Sequence, residues 1–161
     1  MTASHDSPQT PRPIGPLGRR LARAPIALYR IGLGRLLGRR FVMVEHTGRV
    51  SGLRRRVVLE VIDRSEGALM VAAAWPGSDW YLNLQAQPRA VVSSGRVRSV
   101  PAWARVLEET EAESVFGRYT ATHPRAARVL ARALGLPFAD REAMAVRVPV
   151  VELSARSPDG R

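Results

Sequence analysis

The chain has 161 residues, 45% of them hydrophobic, which fits one domain with a core of its own. It has no cysteine, which excludes disulfides, thiolate nucleophiles and cysteine-ligated metals, and its three scattered histidines (His5, His46, His123) argue against a zinc site. The formal net charge is +11 and every basic residue is Arg, a bias that fits arginine-rich coding as well as an anion-binding surface, so charge alone does not point to nucleic acid and no nucleic-acid partner is expected.

Residues 1–15 are rich in Pro, Ser and Thr and lack an apolar run, so they read as a disordered tail rather than a signal peptide. Residues 16–38 read as a helix with Leu17, Leu21, Ile26, Leu28, Leu33, Leu36 and Leu37 on an apolar side and Arg19, Arg20, Arg23, Arg30 and Arg35 on a basic one. Pro25 kinks or breaks it, and Gly32, Gly34 and Gly38 weaken it. Such a helix either packs as a lid on the rest of the chain or lies on an anionic membrane surface. No run reaches the roughly 18 apolar residues of a membrane span. The expected location is therefore cytoplasmic, with peripheral contact at the inner face of the membrane as the alternative.

Strand signals follow at 41–46, 55–62, 68–74, 89–94, 96–106 and 144–153. Arg64-Ser65-Glu66-Gly67 and Ser93-Ser94-Gly95 read as hairpin turns. A short helix is expected between Ser78 or Asp79 as N-cap and Pro88 as stop. Two more are expected at 108–122, acidic in its first turn, and at 124–134, opened by Pro124 and closed by Gly135. Pro149, inside the last strand, would place that strand at an edge or a bulge. Hairpin-spaced strands with late helices predict a small antiparallel barrel with peripheral helices, mainly β, spanning 39–154, with a short tail at 155–161.

The richest stretch is 46–56, His-Thr-Gly-Arg-Val-Ser-Gly-Leu-Arg-Arg-Arg, between two strands. Gly48 and Gly52 suit a tight connection. Thr47, Ser51 and free backbone N–H groups offer donors, and Arg49, Arg54, Arg55 and Arg56 offer fixed bidentate donors for phosphate or carboxylate oxygens. A strand, a Gly/Ser turn and an arginine cluster together make an anion cradle; a solvated turn is the plain alternative. Trp80 and Tyr81 read equally as core aromatics, Asn83 as a hydrogen-bonded anchor, and His46 and His123 as ordinary polar residues. Tyr119 is a candidate proton donor toward a substrate cavity.

Three features carry a family resemblance over roughly residues 20–153: Thr47-Gly48-Arg49-Val50-Ser51-Gly52 with Arg55 three residues on, Trp80-Tyr81-Leu82-Asn83-Leu84 with Pro88, and the strand Val71-Ala72-Ala73-Ala74 leading into that helix. Together they resemble the deazaflavin (F420)-dependent nitroreductase-like proteins of actinobacteria. That resemblance implies a split β-barrel of the flavin-binding, pyridoxamine-phosphate-oxidase-like type. It implies that Arg49, Val50, Ser51, Gly52 and Arg55 hold the phosphate and glutamate tail of F420, with Arg56, Val57 and Val58 along its stem. Ala72, Ala73, Ala74 and Trp75 would flank the deazaflavin ring, and Trp80, Tyr81 and Asn83 would close the pocket. The implied activity is F420H2-dependent hydride transfer to a hydrophobic quinone-like, nitro or conjugated unsaturated acceptor, with Tyr81 and Tyr119 as the proton-donor candidates. Two departures stand out: Val50 replaces a family Lys, and Ala74 replaces the Ser of some nitro-reducing members. A non-catalytic F420- or polyanion-binding protein is the alternative reading.

Overall fold

A computed structural model describes residues 39–65, 67–73, 77–134 and 140–155. The expected helix at 16–38, both tails, and the residues Glu66, Ala74 and Trp75 lie outside this set. Six strands are formed: β1 (Phe41–Thr47), β2 (Arg54–Ser65), β3 (Ala68–Ala72), β4 (Arg89–Ser94), β5 (Val97–Val106) and β6 (Val150–Ser154). Four helices join them: α1 (Asp79–Ala86), α2 (Glu109–Thr122), α3 (Pro124–Leu134) and α4 (Arg141–Arg147). The strands close into an antiparallel barrel in the order β1-β2-β3-β6-β5-β4.

Alternation along the strands sorts residues onto two faces. On β1, Val42, Val44 and His46 point inward, paired with Leu59, Val57 and Arg55 of β2. The interior is filled by Val42, Val44, Val61, Val71, Ala73, Tyr81, Leu84, Val151 and Leu153, among others. A second core lies between the outer wall and helices α2–α4, around Ile62, Met70, Val115, Phe116, Tyr119, Met144 and Val150. The register of β2 against β3 shifts between Val61 and Asp63. Consecutive residues, Val61 and Ile62, serve the two different cores, as strand alternation directs.

The expectation for the last strand needs correction. Met144–Arg147 belongs to α4, not to a strand. Asp140 caps that helix, its Oδ1 accepting from the Ala143 N–H at 2.8 Å, with Glu142 in the first turn and Arg147 in the last. Alternating Met144, Val146 and Val148 mimic a strand over a stretch too short for helical periodicity to show. Pro149 precedes β6, which pairs with both β3 and β5 and so is not an edge. The Pro149 carbonyl accepts from the Ala73 N–H at 2.8 Å.

Arg105 of β5 ties the barrel to α2. Its guanidinium donates to both Glu111 oxygens at 2.8 and 3.0 Å and to Glu152 of β6 at 2.9 Å. Glu111 also accepts from the Glu108 N–H at 3.0 Å, closing a capping box at the start of α2. Arg105 first, then that backbone N–H, holds the Glu111 carboxyl below its usual range.

Candidate functional site

Residues 48–53 connect β1 to β2 at one end of the barrel. Two backbone bonds close the turn: Gly48 N–H to the Leu53 carbonyl and Gly52 N–H to the Gly48 carbonyl, both 2.8 Å. Gly52 has φ +66°, in the left-handed region that glycine occupies without strain. At Gly48 a Cβ would stand 2.7 Å from Ser51 Oγ. That oxygen accepts from the Leu53 N–H at 3.3 Å. Val50 is 91% exposed at the tip.

Helix α1 grips this turn. Asp79 and Asn83, one helical turn apart, face Arg49 together. Asn83 Oδ1 accepts from the Arg49 backbone N–H at 3.0 Å and from Arg49 Nη1 at 2.9 Å. Asp79 Oδ1 accepts from Nη1 at 3.0 Å. On its other side the Asn83 amide nitrogen lies 3.3 Å from His46 Nδ1. Both His46 and Asn83 are buried, at 5% and 4% exposure. Burial holds the His46 pKa below its ordinary value, helped by the Arg55 charge, while a backbone hydrogen bond at Thr47 and the Asp79 carboxylate act the other way.

The arginine cluster divides by face. Arg54 and Arg56 lie on the outer wall and both bind Glu45 of β1, at 3.1 and 2.8 Å. Arg55 lies on the inward row at the barrel's end, opposite His46, and is exposed. No hydrogen bond or ion pair joins it to another side chain among the described residues. It is the arginine of the cluster best placed to meet an anion. With Ser51, the exposed turn and a glycine where a side chain would crowd the hydroxyl, the residues present fit a polyanionic tail.

The remaining predicted residues spread over neighbouring surfaces. Val57 packs on the barrel interior, while Val58 stands on the opposite face of β2. Ala72 packs on the helix-covered core. Ala73 is fully buried inside the barrel, so what it offers a ring is backbone, not side chain. Trp80 and Tyr81 meet edge to face, with centroids 6.0 Å apart. The Tyr81 hydroxyl accepts from Gln85 Nε2 at 3.1 Å and borders a hollow of about 250 Å³ with Pro88, Ala104 and Val106. Burial pushes its pKa up. Tyr119 is remote from the turn: it sits on α2, 2% exposed, and donates to Glu60 Oε1 at 3.3 Å, the oxygen that Arg40 also binds. Burial first, then the Glu60 charge, pushes its phenol up to about 12. Glu60 lies four residues along β2 from Arg56, about 13 Å at strand rise.

Two residues of the candidate site were not read from the sequence. Asp79 was seen only as a cap, although its i,i+4 spacing to Asn83 is a signal. His46 was seen as ordinary, although the alternation of β1 puts it on the buried row with Val42 and Val44.

A cavity of about 770 Å³ opens at the opposite end of the barrel, between the β2–β3 and β4–β5 hairpins. It is lined by Leu69, Val97, Val100, Pro101 and Leu153, with Arg39, Arg64 and Arg96 at its rim. Donor chemistry, not cavity size, makes the turn the candidate anion site. Beside that turn lies a smaller hollow of about 150 Å³ with Glu45, His46, Arg54 and Arg89 on its walls.

Comparison with known proteins agrees with this geometry. The chain is similar in fold to an F420-H2-dependent reductase at 24% identity, with a TM-score of 0.51 over 73% of this chain and 96% of that one. A protein of unknown function from Agrobacterium tumefaciens matches at 18% identity and TM-score 0.53, over 81% and 55% of the two chains. A heme storage protein from Vibrio cholerae matches at 12% identity and TM-score 0.51, over 80% and 89%. No curated protein sequence matches. The family model described as F420H(2)-dependent quinone reductase matches residues 15–135, which include the arginine turn, helix α1 and most of the barrel. The chain therefore belongs to the F420H2-dependent quinone reductase family, an oxidoreductase whose cofactor is coenzyme F420.

Proposed function

We propose that this protein reduces a hydrophobic, quinone-like acceptor, with the 48–56 turn holding the anionic tail of F420. The observation that carries the tail's placement is Arg55: an exposed guanidinium with no hydrogen bond or ion pair among the described residues, beside a turn whose Val50 and Ser51 N–H groups donate to no acceptor among those residues. Reduced deazaflavin would supply a hydride, and hydride plus one proton takes a quinone to its hydroquinone, both carbonyls becoming hydroxyls. The chain's own residues bind and orient. Arg55, Ser51 and the Val50 and Ser51 N–H groups meet the tail, while Arg56, Val57 and Val58 border the stem. Ala72 to Trp75 flank the ring, with Ala74 and Trp75 outside the described residues. Tyr81 and Tyr119 hold their protons firmly, because burial raises both phenols. The proton then comes from solvent, and no acid/base pair is needed.

Ala72 and Ala73 turn their short side chains into the two cores, so this end of β3 offers a ring its backbone, and Trp80 and Tyr81 would supply the apolar walls, which suits a planar acceptor. Ala74 lacks the hydroxyl that could bind a nitro group, so nitro acceptors rank below quinones. The test is a parallel titration with F420 and FMN, followed by turnover of menadione and of a nitroaromatic under F420H2. F420 should bind in preference to FMN. Arg55→Ala should weaken F420 at least about tenfold, since a charged hydrogen bond contributes roughly 1.5–3 kcal/mol. Menadione should turn over faster, and Ala74→Ser should shift the ratio toward the nitroaromatic. Tight binding without turnover of either acceptor would instead favour a non-catalytic F420-binding protein.

A further inference from the structure

We propose that His46 is a positioning residue whose neutral ring locks the Asn83 amide, and through it the Arg49 turn, and that protonating the ring releases that turn. The functional consequence rests on the reading of the turn as the F420 tail site; the lock itself does not.

Hydrogen-bond polarity carries the argument. Both Arg49 groups that touch Asn83 are donors: the backbone N–H at 3.0 Å and Nη1 at 2.9 Å. The atom they share must be the amide oxygen, because a flipped amide would set NH2 against two N–H groups. The amide nitrogen then faces His46 Nδ1 at 3.3 Å and can only donate. Nδ1 must be the bare acceptor, which puts the ring proton on Nε2. The chain of bonds is thus directional, from Arg49 to Asn83 to His46, and it exists only while the ring is neutral.

An imidazolium reverses the requirement. Its Nδ1–H would meet the amide N–H, and the Asn83 amide would have to turn its oxygen to His46. Arg49 would then lose the acceptor for its backbone N–H and one of two acceptors for its guanidinium. What stays is Asp79, whose side chain is 86% exposed and so holds weakly. The groups facing His46 are Arg55 from β2 and Asp79 from α1, and Glu45, Arg54 and Arg89 share its hollow. Burial and Arg55 keep the ring neutral; Asp79 and the Thr47 backbone favour the proton.

The sign distinguishes this from simple charge gain. A new positive charge beside an anion site would tighten anion binding as pH falls. The lock predicts the reverse, because a loosened turn must be reordered on binding.

Two measurements on the full chain test it. Nitrogen-15 spectra of the imidazoles should show His46 as the Nε2–H tautomer, titrating below 6.5, the ordinary value, and the Arg49 amide proton should shift with the same midpoint. An Nδ1–H tautomer, a midpoint at or above 6.5, or an Arg49 amide indifferent to it would overturn the lock. F420 affinity should fall at least threefold more between pH 7.5 and 5 in wild type than in His46→Asn, whose Oδ1, bonded to Cγ as Nδ1 is, accepts from the Asn83 amide without titrating. That difference cancels any titration of F420. Parallel profiles would overturn the role of the lock in binding. Absence of F420 binding at every pH would sink the tail-site reading, and the spectra would still decide the lock.

Discussion

Gly52 holds a φ of +66° with open space around it, so a side chain there would meet strain, not crowding. A non-glycine residue in the left-handed region costs about 1–2 kcal/mol, less for Asn. Because the turn is exposed, we expect Gly52→Ala to loosen it locally and leave the rest of the fold intact. F420 affinity should fall about fivefold or more, Gly52→Asn should lie between, and the thermal midpoint should move little. An Ala variant that binds as wild type would show that the turn's conformation is not what the tail reads. Residue types in the turn were legible in the sequence, since Gly, Ser and Arg announce their chemistry. Their partners were not. Arg54 and Arg56 sit two residues apart on β2, so alternation turns both to Glu45 and leaves Arg55 facing the barrel end. The His46–Asn83–Arg49 chain joins positions far apart in sequence, and no local pattern encodes that meeting.

Among the elements, strands bounded by turn residues were readable because alternation and hairpin chemistry are local. The five strands before the last lie within a few residues of expectation, and all six close the barrel. Helix α4 was missed because seven residues give less than two full turns of pattern, and its apolar positions Met144, Val146 and Val148 alternate like a strand. Its cap was the better signal: Asp140 followed by Glu142 is a helix start. That cap also contributes stability. Asp140→Ala should cost about 1 kcal/mol, while Asp140→Asn or Ser, which retain an acceptor, should cost a few tenths. Thermal unfolding of the three variants measures this. An Ala variant as stable as wild type would mean that α4 is held by its packing of Met144 and Ala145 on α2 and not by its first turn.

On the scale of the whole molecule, the barrel has two unlike ends. One carries the arginine turn and α1; the other is an apolar mouth some 20 Å away, judged from the seven residues of β1 at strand rise. The chain reaches β1 at that mouth. Arg64 donates both to the Arg39 carbonyl and, at 3.0 Å, to Ser94 Oγ, which donates to the Phe41 carbonyl at 2.8 Å. Arg39 lines the mouth together with Val97, Val100 and Leu153. The family model begins at residue 15, so the segment 16–38 falls within the shared domain. The apolar side expected for that segment would cover either the mouth or a bilayer face. We expect the mouth. Burying a Leu side chain contributes on the order of 1.5–3 kcal/mol, so deleting residues 16–38 should lower the thermal midpoint sharply and raise binding of an apolar dye. Charged replacements, Leu33→Asp with Leu37→Asp, should do the same within the intact chain. Flotation of the full chain with anionic vesicles, lost at high salt and lost on the deletion, together with an unchanged midpoint, would assign the segment to the membrane instead.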